Sequence, residues 1–182
     1  MVRIEEAPPP FHSAPTVGAA SSGCIMIRPY QPADCDPVVE FAIRAWAPVF
    51  ASIKQALDPD FYAISYPGGW EKNQRAAVAA SLENEHAWIW DEGGAPAGFV
   101  TVKLDEESKL GEIYMIAVDP DHQQKGIAKA LTDFAVEQMR DAGMTLAMVE
   151  TGLDDGHAPA RRTYEKAGFV VWPAARFFKP LD

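Results

Sequence analysis

Cysteine is scarce in this chain: 182 residues contain two, Cys24 and Cys35. Two cysteines make neither a disulfide framework nor a metal-spaced cluster. Long apolar runs are missing as well, for no stretch approaches the ~18 to 20 apolar residues of a membrane-spanning helix. The N-terminus carries Glu5 and Glu6 and is broken by Pro8, Pro9 and Pro10, which does not read as a signal peptide. Positive charge is in deficit, with 16 Lys and Arg against 26 Asp and Glu, a net charge of −10. Proteins that grip polyanions carry a basic face, so nucleic acid is not an expected partner, and neither is a membrane. His86, His122 and His157 follow no metal-ligand spacing, and no metal is expected. A cytoplasmic protein follows from these absences. The acidic balance either draws cationic ligands or only keeps the protein in solution.

Hydrophobic residues make up 48% and aromatics 10%, enough to build a core. Residues 1–24, rich in Pro, Ala, Ser and Gly, read as a disordered arm, and 25–182 as a single domain. Ile25 to Arg28 reads as a first strand. Asp36-Pro37 looks like a helix cap with Pro at the first position, followed by Val38, Phe41, Ala42, Ala45 and Trp46 at helical spacing. Pro48 is expected to interrupt this helix, with a second stretch running to Leu57. Asp58-Pro59-Asp60 and Pro67-Gly68-Gly69 read as breakers, and a further helix is expected from Trp70 to Glu83.

Ala87 to Trp90, Ala97 to Leu104 and Leu110 to Val118 then read as an antiparallel meander. From Gly126 to Ala142 the period becomes helical, with Ile127, Leu131, Ala135 and Met139 on one face. Thr145 to Glu150 is the next strand, parallel to the last through a helical crossover. A short helix from Ala158 to Ala167 follows, and Phe169 to Trp172 with Arg176 to Lys179 are expected to close the sheet as a hairpin. The fold class is therefore mixed α/β: one mostly antiparallel sheet with a parallel pair, flanked by helices.

The junction Val118 to Ala128 takes a strand into a helix. A helix start leaves backbone N–H groups unpaired, and Gly126 lets the backbone approach a ligand. Such a turn cradles phosphates, and Lys125 and Lys129 add local positive charge. Gln123-x-x-Gly126-x-Ala128 resembles the Gln/Arg-x-x-Gly-x-Gly/Ala signature of the GCN5-related N-acetyltransferases. Downstream, Ala160 to Phe169, with Tyr164-Glu165-Lys166-Ala167-Gly168-Phe169, is similar to that family's terminal motif. Its usual Asn is replaced by His157. The likeness covers Ile25 to Lys179 as a layout and is specific from Gly111 to Phe169.

The resemblance implies an acyltransferase that moves an acetyl group from acetyl-CoA, its cosubstrate, to a primary amine of a small molecule or protein. Transfer is direct, through a tetrahedral intermediate, since no cysteine lies in these segments to carry the acyl group. The cofactor contacts it implies are Gln123, Gln124, Lys125, Gly126, Ile127, Ala128 and Lys129 at the turn, His157 in place of the Asn, and the backbone of Ile116, Ala117 and Val118. A bulge between Met115 and Val118 is expected to splay this strand from its parallel neighbour.

An amine with a pKa near ~10.4 must lose a proton before it attacks, so a base is needed. The resemblance implies Glu112 for this role; a solvated strand-end carboxylate is the alternative. Tyr164 is the candidate acid for the departing thiolate; a core aromatic with a polar tip is the alternative. Trp46, Phe50, Phe61, Tyr62 and Trp70 either shape the acceptor pocket or belong to the core, the latter being favoured for most of them. Asp154 and Asp155 are placed to attract an ammonium, or are simply solvated. Aminoglycosides and polyamines fit as acceptors. A homodimer is left open, and so is a non-catalytic acyl-CoA sensor.

Overall fold

The computed structural model describes residues 25–181. The N-terminal arm expected at 1–24 lies outside the described residues. The order is β1 (Ile25–Pro29), α1 (Cys35–Ala56), α2 (Pro59–Ser65), α3 (Glu71–Asn84), β2 (His86–Glu92), β3 (Ala95–Asp105), β4 (Leu110–Val118), α4 (Ile127–Asp141), β5 (Leu146–Val149) and α5 (Ala158–Lys166).

Charge sets the start of α1 two residues earlier than expected. Asp34, not Asp36, stands at the cap position, and it makes no side-chain cap hydrogen bond. Its carboxylate instead accepts from Arg28 Nη1 and Nη2, at 2.7 and 2.8 Å, and from the Gln31 amide at 2.8 Å. Arg28 Nε also donates to Asp91 Oδ2 at 2.8 Å, which ties β1, the turn after it and β2 together. Pro37 falls in the first helical turn, where its missing N–H has no partner to lose.

Pro48 does not divide the helix: α1 runs unbroken through 22 residues with Pro48 inside. The lost bond would have gone to the Arg44 carbonyl. Both residues are exposed, so the freed carbonyl is open to solvent. The opposite face is anchored by buried Val38, Phe41 and Ala42 and by Trp46, whose ring packs edge-on to Phe99 at 6.2 Å. The expected breaker Asp58-Pro59-Asp60 starts a helix instead. Asp58 Oδ1 accepts from the amides of Asp60 and Phe61 at 3.0 and 3.2 Å, and Pro59 opens α2.

The strands form one sheet in the order β1-β2-β3-β4-β5. The first four are antiparallel, and β5 lies parallel to β4. On one face α1 and α3 bury Val38, Phe41, Val78 and Leu82 against Ile89, Phe99 and Ala117. On the other, α4 buries Ile127, Leu131, Ala135 and Met139 against Trp88, Val100, Val102 and Ile113. The approach of α4 needs a bare backbone at Gly111, where a Cβ would stand 2.5 Å from Met139 Cγ.

The expected closing hairpin is not formed: no strand follows α5 among the described residues. Val170 and Trp172 are 91% and 84% exposed, so the segment has no buried face on which to set a strand register. It is held instead by an ion pair from Arg176 to Glu150, at 2.5 Å, and by the ring of Phe178 beside Phe61, at 6.1 Å.

Candidate active site

β4 and β5 pair over only four positions, from Leu110–Leu146 to Ile113–Val149. Beyond Ile113 they part. The cause lies in the pairing of β4 with β3, where Thr101 faces Met115 and Val102 faces Ile113, leaving Tyr114 unmatched. Thr101 Oγ1 accepts from the Met115 amide at 3.1 Å across this bulge. The bulge was expected between Met115 and Val118 and sits one residue earlier.

The parted strands open onto a cavity of about 240 Å³, lined among others by Trp46, Tyr114, Ile116, Glu150, His157 and Tyr164. Tyr164 is only 9% exposed, and burial pushes its phenol up to about 12. At neutral pH it is a proton donor. Its ring meets Phe169 edge-on at 6.1 Å.

At the far end of β4 the chain turns through Pro120–His122 into α4. Asp119 accepts from the Asp121 amide at 3.0 Å and from Arg44 Nη2 of α1 at 2.8 Å. Gln123 folds back so that Nε2 donates to the Val118 carbonyl at 3.2 Å. Gln124 and Gly126 both take left-handed backbone, with φ of 63° and 83°. No side chain caps α4, so the amides of its first turn lack an intrahelical partner. Nothing lies within 4 Å of where a Gly126 Cβ would stand. An open, uncapped helix start of this kind fits a pyrophosphate. Of the two lysines there, Lys125 Nζ stands 3.9 Å from Glu92 Oε1 and Lys129 Nζ 2.5 Å from Asp133 Oδ2.

The sequence-derived residues thus fall into two groups. Ile116, His157 and Tyr164 line the cavity, and Gln123 to Lys129 form the turn and helix start beyond the end of β4. Glu112 is not among the lining residues; it pairs across the sheet with Lys103 and Met148. Glu150, Tyr114 and Gln74 line the cavity without having been singled out. Gly152 and Gly156 were also passed over, though a glycine two residues to either side of Asp154 was the available signal. At Gly156 a Cβ would lie 2.7 Å from Ser52 Cβ and 3.0 Å from Val49 Cα, so the loop after β5 is pressed against α1. Among the described residues no three His, Cys, Asp or Glu are grouped to hold a metal. Nor is any helix there long and apolar enough to cross a membrane.

An antiparallel meander that runs into a parted parallel pair, beside an uncapped helix start, defines a ligand-binding α/β domain built around one split sheet. Residues 50–169 match the model of the acetyltransferase (GNAT) family. The chain belongs to that family. It is 35% identical over 77 residues to a mycothiol acetyltransferase of Nocardiopsis dassonvillei, covering 42% of this chain and 23% of that protein. A mycothiol acetyltransferase of Actinosynnema mirum is 31% identical over 115 residues, covering 58% and 38%. The chain therefore spans about a quarter to two fifths of the length of these curated relatives. An aminoglycoside N-acetyltransferase solved in complex with CoA superposes with a TM-score of 0.61 at 15% identity, covering 89% of this chain and 98% of that one. At that identity the likeness is one of fold.

Proposed function

We propose that this protein transfers an acetyl group from acetyl-CoA to a primary amine of a small molecule. The observation that carries the reading is Tyr164, a buried donor lining the cavity where β4 and β5 part, with an uncapped helix start beyond the C-terminal end of β4. Acetyl-CoA supplies the activated acyl group as a thioester. The amides of Gly126 to Lys129, with Lys125, would hold its phosphates. The backbone of Ile116 to Val118, left without a β5 partner, would hold its pantetheine arm and donate to the acyl oxygen as charge develops there.

Tyr164 donates its phenolic proton to the departing sulfur. An unperturbed thiol ionises near ~8.5, well below this phenol. Desolvation in the same cavity disfavours the thiolate as it does the phenolate, which narrows the mismatch. The incoming ammonium must first lose a proton. Glu112, the base implied by the family resemblance, lies outside the cavity lining, whereas Glu150 and His157 are part of it.

Mycothiol and aminoglycosides, named in the relatives and the structural neighbour, are small molecules rather than proteins. They support a small polar amine as acceptor. Use of acetyl-CoA supports a cytoplasmic setting, and a homodimer stays open. The test is thiol release from acetyl-CoA across aminoglycosides, polyamines, amino acids, short peptides and deacetylated mycothiol. Acceptor-dependent release is expected. Tight CoA binding without release under any acceptor would overturn catalysis in favour of a sensor.

A further inference from the structure

His157 is tied to a carboxylate that has no need of it for charge balance in solvent. Its Nδ1 stands 2.5 Å from Asp154 Oδ1, and both side chains are largely shielded, at 21% and 13% exposure. The second carboxylate oxygen is also occupied: Asp154 Oδ2 accepts from the Gly156 amide at 3.1 Å, closing the turn that carries His157. Burial works to raise the Asp154 pKa, but hydrogen bonds from Ser52 and His157 outweigh it and hold the group below its ordinary value. Arg161 fastens the loop from outside, donating to the carbonyls of Gly152 and Asp154 at 2.6 and 2.8 Å.

Gly152 gives a second, independent observation. A Cβ there would lie 2.5 Å from both Asp154 Oδ1 and His157 Nδ1. Its φ is not in the left-handed region, so the glycine is required by the space the pair occupies and not by backbone conformation. A neutral ring that donates to Asp154 from Nδ1 presents Nε2 as an acceptor, and this ring lines the cavity.

We infer that His157 is the proton acceptor for the incoming amine and that Asp154 positions it, an assignment that rests on the acetyl-transfer reading above. The bound ammonium gives one proton to His157 Nε2. The freed nitrogen pair forms the C–N bond to the acyl carbon. The C–S bond breaks with its electron pair on sulfur, and sulfur takes the Tyr164 proton. The second amine proton returns to Tyr164 as the amide forms, and His157 releases its own to solvent. An acyl thioester and an ammonium thus become an amide, a thiol and one proton.

The ionisable groups near the ring are Asp154 and Asp155 on its own turn, Arg161 and Tyr164 on α5, and Glu150 after β5 with its partner Arg176. Tyr114 comes from β4 and Tyr66, facing Asp154, from beyond α2, while α1 presents the neutral Trp46, Val49 and Ser52.

The experiment measures kcat/KM against pH, and CoA affinity by calorimetry, for the wild type, His157→Gln and Gly152→Ala. Loss of a general base costs ~100-fold or more, so His157→Gln is expected to lose that much and the acid limb of the profile, with any fall in CoA affinity much smaller than the fall in rate. Gly152→Ala keeps both groups but displaces them, and misplacement alone costs up to ~100-fold. A rate and acid limb that survive His157→Gln would overturn the base role, as would a rate loss matched by an equal loss of CoA affinity. A wild type that releases no thiol with any amine would overturn the acetyl-transfer reading itself, and the base role with it.

Discussion

Tyr164→Phe removes one oxygen from the cavity and leaves the ring edge-on to Phe169. Two readouts follow from the same burial. A positioned acid contributes ~100- to 10,000-fold, so kcat/KM for acetyl transfer should fall by at least ~100-fold while CoA affinity holds. The second readout is stability at alkaline pH. The unfolded phenol ionises near 10.0, and the folded one, desolvated, near about 12. Below the lower value both states are protonated and the shift contributes no pH dependence. Between the two values the unfolded chain releases a proton that the native protein keeps, so stability falls as pH rises, at about 1.4 kcal/mol per unit. The loss accumulates to about 3 kcal/mol. Tyr30, also pushed up to about 12, first by burial and then by Cys35, titrates in the same window but is common to both proteins and cancels in the difference. Urea unfolding followed by tryptophan fluorescence across this range should show the wild type losing about 3 kcal/mol relative to Tyr164→Phe. Parallel stability curves for the two proteins would mean that the hydroxyl is solvated, and the argument for a desolvated acid would fail.

Gly126→Val places a branched side chain at a φ of 83° with open space around it, so the cost is backbone strain of about 1 to 2 kcal/mol. A relaxed turn no longer presents its amides together, and calorimetry should show CoA affinity falling ~10-fold or more while the fold persists. Arg28→Met leaves the buried carboxylates of Asp34 and Asp91 without their cation, which should cost about 3 kcal/mol in chemical denaturation. Arg28 hydrogen bonds hold Asp34 below its ordinary 3.8. The stability from this pairing is present above that value and lost as pH falls through the depressed one. Arg28→Met should therefore be the less pH-sensitive protein below about pH 4.

The signals legible in the sequence were local ones. The phosphate turn, α4 and α5 announce themselves through Gly126, Gly143 and Gly168, all at positive φ, and through apolar spacing that α4 buries as Ile127, Leu131, Ala135 and Met139. What escaped depends on contacts between distant segments. Pro48 stays helical because α1 is pinned on its far side by Phe99 of β3. The bulge at Tyr114 changes the phase of β4: Ile113 faces α4, but so do Ile116 and Val118, while Met115 and Ala117 face α1 and α3. Simple alternation would put Ile113, Met115 and Ala117 on one face. Which side chains of β4 meet the cavity is thus decided by a register shift that no residue type declares. The pairing of His157 with Asp154 escaped for a similar reason. In sequence the two read separately, one as a stand-in for Asn and the other as an acid that attracts an ammonium or is simply solvated, and only the tight turn Asp155–His157 brings them together.

The division of the site explains why the family is plain and the acceptor is not. The motifs shared with the family lie along β4, α4 and α5, and under the proposed function they would address acetyl-CoA, the cosubstrate common to the family. Under the proposed acetyl transfer, the acceptor side would fall to α1, α2 and the segment before α3. There Phe50 stacks on Trp70 at 4.0 Å and meets Tyr66 edge-on at 5.6 Å. These rings pack mainly on one another, a layer on the outer half of α1 separate from the core beneath Phe41 and Ala42. A layer of that kind can change without disturbing the sheet, because burial of the sheet face does not depend on it. Trp46 is the exception, since it touches Phe99 in the core and also lines the cavity. Under that proposal, acceptor preference would have two structural handles of different cost. The outer rings are free to vary, whereas a change at Trp46 alters the cavity wall and the core together.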